Sequence, residues 1–200
     1  MKHKKQPQPL PQGRILLLSC CAPCSCAVIK KLHEDGVDFA VAFYNPNIYP
    51  ETEYSKRKAE QQKLCRIYAV EFIEMEYNPQ AWLKAASPYK DAPERGARCS
   101  VCFEFRLRYV MQYAKTHGFD FVASVLGVSR WKDLNQVNAA AARASATVNF
   151  PYIEVEGRKF GMQEQRAALI KELGLYNQEY CGCVYSYQNH LKDKAEPEPA

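Results

Sequence analysis

The chain has 200 residues, 47% of them hydrophobic, and a net charge of +5. This suffices for one sizeable core, and the charge excess permits an anionic partner such as RNA without demanding one. The longest apolar run near the start, Ile15 to Leu18, is far too short to span a bilayer, and the charged opening Met1-Lys2-His3-Lys4-Lys5 leads into no secretory apolar stretch. A cytoplasmic chain with reduced thiols and no membrane partner is expected.

Residues 1–12, with Pro7, Pro9 and Pro11, read as a disordered tail, and residues 13–191 as a single α/β domain. The unbroken apolar run 15–18 is the pattern of a buried parallel strand. Pro23 suits the first turn of a helix whose buried face is Ala27, Val28, Ile29 and Leu32, and Gly36 ends it. Residues 37–44 form a second strand, and Asn45-Pro46-Asn47-Ile48-Tyr49-Pro50 a turn. A charged helix over 53–68, a third strand over 70–75 and a helix over 79–86 follow, then a loop to Arg98. The spacing of Phe103, Leu107, Val110, Met111 and Ala114 predicts a helix over 101–117. Next come a strand over 121–126, an alanine-rich helix over 131–146, a strand over 150–155 and a helix over 163–173. Residues 192–200 are polar and read as a second tail. Strands alternating with helices imply a three-layer α/β fold with a largely parallel sheet, and ligands of such sheets bind beyond the carboxyl ends of the strands.

Seven of the nine cysteines fall in three clusters: Cys20-Cys21-Ala22-Pro23-Cys24, Cys99-Ser100-Val101-Cys102 and Cys181-Gly182-Cys183. Adjacent thiols make poor disulfide staples but good soft-metal ligands. The first cluster sits just past strand one, where a Rossmann-like sheet binds its ligand. Cys99 and Cys102, three apart on one helix, face the same way, and Gly182 lets its backbone bend around a bulky inorganic core. Seven sulfurs exceed the four that one cubane or one structural zinc uses, so either two metal centres or some catalytic thiols are expected; a zinc staple with spare cysteines is the competing reading. Cys26 and Cys65 read as buried bystanders. The loop after strand one has no glycine, and Pro23 removes an amide, which argues against a phosphate cradle there.

Five motifs together resemble the QueH-type epoxyqueuosine reductases. They are Leu17-Leu18-Ser19-Cys20-Cys21-Ala22-Pro23-Cys24; Phe43-Tyr44-Asn45-Pro46-Asn47-Ile48; Glu53-Tyr54-x-x-Arg57; Arg98-Cys99-x-x-Cys102-Phe103-x-x-Arg106-Leu107; and Leu175-Tyr176-x-x-x-Tyr180-Cys181-Gly182-Cys183-x-Tyr185-Ser186. The resemblance implies a cobalamin-independent oxidoreductase acting in tRNA processing at the last step of queuosine biosynthesis. It reduces the epoxide of epoxyqueuosine, at the wobble position of a tRNA anticodon, to the cyclopentene. It further implies a fold related to the adenine-nucleotide α-hydrolase group and a [4Fe-4S] cluster beside a second, mononuclear iron. Cys20, Cys21, Cys24, Cys99, Cys102, Cys181 and Cys183 would share the metal centres, with no individual assignment. An electron donor of flavodoxin or ferredoxin type is implied as well. Family members often carry His before the double cysteine and Ser-Pro-Tyr-Lys-Asp after strand four, where this chain has Ser19 and Ser129-Arg130-Trp131-Lys132-Asp133.

Asp133, Tyr44 and Tyr180 are candidate proton donors for the leaving oxygen. Asn45, Asn47, Tyr54, Arg57, Arg98 and Lys132 are candidate substrate or RNA contacts. Lys56, Lys58, Lys63 and Arg66 crowd the second helix, and Arg158 and Lys159 are further phosphate candidates. Two other functions compete: a zinc protein that binds RNA without redox chemistry, and a cluster-dependent tRNA-thiolating enzyme, which would need an ATP site.

Overall fold

A computed structural model describes residues 9–129 and 132–195. Its centre is a four-stranded parallel sheet in the order β3-β2-β1-β4, made of β1 (Ile15–Leu18), β2 (Phe39–Phe43), β3 (Glu71–Glu74) and β4 (Phe121–Ser124). β1 is paired on both sides, Ile15 with Phe39 and with Phe121, and all four of its residues are buried. That is the environment its unbroken aliphatic run requires. β3 is an edge strand, and Glu71 and Glu74 put charge where an unpaired edge would otherwise invite association.

The helices are α1 (Ala22–Glu34), α2 (Glu51–Ile67), α3 (Pro79–Ala86), α4 (Ala97–Thr116), α5 (Leu134–Val148), α6 (Met162–Glu172) and α7 (Val184–Ala195). α1 packs with α2 and α6, while α4 packs with α3 and α5, giving the three expected layers. The chain moves from β1 through β2 to β3 and then returns to lay β4 on the other side of β1. The order therefore reverses beside β1, and a crevice at the carboxyl ends of β1 and β4 follows from topology alone.

Three expectations change. The strand expected over 150–155 is reduced to a single bridge between Val122 and Tyr152. Pro151 lends its carbonyl to the Val122 N–H at 3.1 Å but has no N–H to extend a ladder. α4 starts four residues early, at Ala97, so Cys99 and Cys102 lie inside its first two turns. α7 was not anticipated, and it continues to Ala195, past the point where the composition turns tail-like. The helix expected from Trp131 is α5, which begins at Leu134 among the described residues; Arg130 and Trp131 lie outside them. Likewise residues 1–8 and 196–200, most of the two expected tails, lie outside the described residues. No helix among the described residues is long and apolar enough to cross a membrane.

Candidate metal centre

The carboxyl end of β1 delivers Ser19 to the sheet edge, where its N–H still pairs with the Ala42 carbonyl at 2.9 Å, and the chain then turns directly into α1. Cys20, Cys21 and Cys24 sit on that turn, with Pro23 in the first helical turn, and their three sulfurs lie within 4.8 Å of one another. Cys20 and Cys21 Sγ are 3.8 Å apart. The turn is fastened from below. Ser19 Oγ donates to Gln61 Oε1 at 2.7 Å, Ser25 Oγ donates to the same oxygen at 2.9 Å, and Asn45 Nδ2 donates to the Ser19 carbonyl at 3.0 Å.

The other two clusters converge on the same place. Cys20, Cys24, Cys99, Cys181 and Cys183 all line one cavity of about 590 Å³, together with Arg98, Lys132, Gln136, Gln178, Tyr180 and His190. Cys21 touches Cys20, and Cys102, three residues past Cys99, interacts electrostatically with Cys99 and Cys183. The third cluster reaches the cavity because Arg57 holds it. This arginine is buried, donates Nε to Glu53 at 2.7 Å, and offers Nη1 to the Cys181 carbonyl and Nη2 to the Tyr180 carbonyl, each at 3.1 Å.

The charge balance is that of a thiolate site. Hydrogen bonds from Cys21 and Cys24, then Lys132 and Arg106, hold Cys20 well below the ordinary thiol range. Its neighbours move the other way. Cys21 is pushed up to about 12, first by its hydrogen bond to Cys20, and Cys24 also rises. Burial raises Cys99 and Cys102. The Lys132 ammonium faces the Cys20 sulfur at 3.8 Å. Burial opposes the Lys132 charge, yet the attraction of Cys20, Cys181 and Cys24 keeps its pKa above the ordinary value.

The donors around the sulfurs fit bound thiolates. Gln178 Nε2 points at Cys21 Sγ at 3.1 Å, the Arg95 backbone N–H at Cys99 Sγ at 3.3 Å, and the Ser186 backbone N–H at Cys183 Sγ at 3.4 Å. The buried Trp82 indole N–H has no oxygen or nitrogen partner among the described residues, and its interaction with the Cys102 thiol opposes the rise that burial causes there. A neutral thiol is a weak acceptor, whereas a metal-bound thiolate is stabilised by such bonds.

Each expected proton donor has a structural partner. Tyr44 is buried and stacked on Tyr109 with centroids 4.0 Å apart, and burial raises its pKa. Tyr180 lines the cavity with its ring, but its hydroxyl is committed to the Tyr49 carbonyl. Asp133 is the N-cap of α5: its Oδ1 accepts from the N–H of Asn135 at 2.8 Å and Gln136 at 3.3 Å.

Among the expected RNA contacts, Asn45, Asn47, Tyr54, Arg57 and Arg98 are all buried. Asn45 accepts from Arg106, Tyr54 stacks on Tyr77 at 4.0 Å, and Arg98 donates to the carbonyls of Lys90 and Ala92. Lys132 and Arg98 of that set line the cavity, and Lys132 faces the Cys20 sulfur. Three cations of the α2 stripe are also engaged: Lys58 pairs with Glu74, Lys63 donates to the Leu173 carbonyl, and Lys56 lies over the Tyr176 ring, while Arg66 is exposed. Arg158 braces the loop that carries Lys132, donating to the carbonyls of Gly127, Ser129 and Lys132. The sequence reading passed over Gln61, Gln136 and Gln178. Only Gln178 had a visible signal, its place between Tyr176 and Tyr180 in the last motif.

A larger groove of about 1470 Å³ runs along the outer side of β4, past Gly13, Ser124, Tyr152 and Glu156. No cysteine lines it.

A sequence model of the family described as epoxyqueuosine reductase QueH matches residues 15–189. The chain belongs to the QueH family. It is 43% identical over 186 residues to the QueH of Histophilus somni, covering 92% of this chain and 76% of that one. It is 40% identical to the QueH of Haemophilus influenzae, covering 94% and 78%, and 32% identical to that of Thermotoga maritima, covering 92% and 95%. Among solved structures, two with 13% identity share the fold of this QueH chain. One is a predicted subunit of a tRNA methyltransferase from Methanocaldococcus jannaschii, with a TM-score of 0.54 over 92% of this chain and 88% of that one. The other is the U34-tRNA thiolase NcsA from Methanococcus maripaludis with its [4Fe-4S] cluster, with a TM-score of 0.53 over 92% and 66%. The five motifs that carried the resemblance lie within the matched residues, and the thiol-lined cavity lies where the sheet order reverses.

Proposed function

We propose that this chain is a cytoplasmic epoxyqueuosine reductase that deoxygenates epoxyqueuosine in a tRNA anticodon. The observation that carries the reading is that five thiols from three distant segments line one cavity, with Cys21 beside Cys20 and Cys102 one helical turn from Cys99, in a chain of the QueH family. The net reaction breaks both C–O bonds of the epoxide, takes up two electrons and two protons, and leaves a C=C bond and water. A donor of flavodoxin or ferredoxin type supplies the electrons.

Cys99, Cys102 and one thiol each from the first and third clusters would hold a [4Fe-4S] cluster, and the remaining sulfurs a second iron. Bound there, such a centre supplies one-electron transfer and a Lewis acid for the epoxide oxygen. The protein supplies the rest. Lys132 places a fixed cation beside Cys20, where negative charge on the departing oxygen is stabilised. Arg158 keeps the backbone of that lysine in place. Gln178 and the Arg95 N–H orient their sulfurs.

Two measurements test the reading. Nucleoside analysis of tRNA from cells lacking the gene should show epoxyqueuosine accumulating and queuosine lost, in a host with no cobalamin-dependent reductase. Anaerobically reconstituted protein should be brown and hold more than four irons per chain. A colourless protein with stoichiometric zinc refutes the reading.

A further inference from the structure

A row of aromatic rings leads out of the thiol cavity. Tyr180 and His190 line the cavity and stack with centroids 5.6 Å apart. Tyr187 packs on Tyr180 at 5.3 Å, and Tyr49 meets Tyr187 edge-on at 5.7 Å. The row ends at Tyr49, which is 47% exposed. Its main chain is fixed: the Tyr49 N–H donates to the Gly182 carbonyl at 2.7 Å, and its carbonyl accepts from the Tyr180 hydroxyl. An open aromatic face is thus held on a rigid base, one ring away from a residue that lines the reaction cavity.

We infer that Tyr49, seated on Tyr187, is a stacking platform for the unpaired RNA base next to the nucleotide that enters the thiol cavity. The inference rests on the reductase reading above. A nucleotide whose modified base is drawn into a cavity leaves its loop neighbour without a stacking partner on that side. Single-stranded RNA is commonly held by aromatic rings that receive such bases, because every base has a π-face. Asn45, Asn47 and Arg57 are buried, and Lys58 and Lys63 of α2 are engaged within the protein, whereas this rim presents an exposed aromatic ring next to the cavity. Lys192 of α7 lines the same cavity and offers a charge for the RNA backbone, while the nearby Glu179 carboxylate is paired with His190 and Lys194.

The test uses iron-loaded protein and an anticodon hairpin containing epoxyqueuosine, with 2-aminopurine replacing the base on each side of it in turn. Binding should change the fluorescence at one of the two positions. The change should survive Tyr49→Phe and vanish with Tyr49→Ala, which weakens hairpin binding about tenfold. The main-chain bonds that hold Tyr49 survive both substitutions. A change that persists in Tyr49→Ala, or no change at either position with wild-type protein, overturns the platform. So does a Tyr49→Ala protein that binds the hairpin normally but is reduced more slowly by flavodoxin, which would make the ring a contact for a protein partner. Nucleoside analysis of the wild-type mixture reports separately on the reductase reading, because conversion of the hairpin's epoxyqueuosine to queuosine upholds that reading even where the platform fails.

Discussion

Gly182 and Arg57 meet so closely that a Cβ on the glycine would lie 2.9 Å from Nη1 of the arginine. Gly182 also has φ +125°, a conformation that side chains rarely tolerate. Gly182→Ala should therefore displace Cys181 and Cys183 from the cavity. The expected outcome is a cost of about 1–3 kcal/mol in stability and a clear drop in iron bound per chain, read by thermal unfolding and metal analysis. Unchanged iron content would mean that the third cluster does not hold metal.

Gln61 is the buried acceptor for two hydroxyls beneath the first cluster, Ser19 and Ser25. Gln61→Leu leaves the Ser19 hydroxyl with only its long bond to the Cys21 carbonyl. It should lower stability by about 1–3 kcal/mol, measured by chemical denaturation, and increase access of a thiol reagent to Cys20 and Cys21.

Asp133 distinguishes a cap from an acid. Asp133→Asn keeps an N-cap oxygen and should retain both turnover and stability, whereas Asp133→Ala should cost about 1 kcal/mol with little change in the pH profile of the reaction. Loss of turnover by several orders of magnitude in the asparagine variant would return Asp133 to the chemistry.

Cys65 gives the metal-free protein an alkaline signature. Burial pushes its thiol up to about 11 from an ordinary value of 9.0. The folded chain therefore holds this proton more tightly than the unfolded chain does. Its stabilising contribution is complete below about pH 9 and is lost as the pH rises through about 11, a loss on the order of 2–3 kcal/mol. Denaturation curves at pH 8 and pH 11 should converge for wild type and Cys65→Ala at the higher pH, since alanine removes the titrating group.

The sequence made the sheet and the meeting of the cysteines legible for a shared reason. The aliphatic run 15–18 can be satisfied only inside a parallel sheet, and the residues after it must then emerge at the ligand-binding edge. Roles of single polar residues were not legible. Arg57 and Tyr54 look like surface contacts in a charged helix, yet both are buried because the third cluster and Tyr77 cover them. Asp133 fits a cap and an acid equally well until its oxygen is seen on two backbone N–H groups. The fifth strand failed for a local reason: Pro151 supplies a carbonyl to the ladder but no hydrogen. α7 went unread because only Ser186 is buried along it, so no apolar stripe marks its course.

The attachment of the third cluster also bears on how the centre matures. Five of the seven thiols sit on α4 and on the turn into α1, elements anchored by the hydrophobic core. The last two ride on a segment held through polar contacts to Arg57 and to the Tyr49 backbone. Such a segment can detach at lower cost than the sheet, which stays folded. In a chain that folds in this order, five sulfurs are in place before Arg57 and Tyr49 close the last two over the cavity.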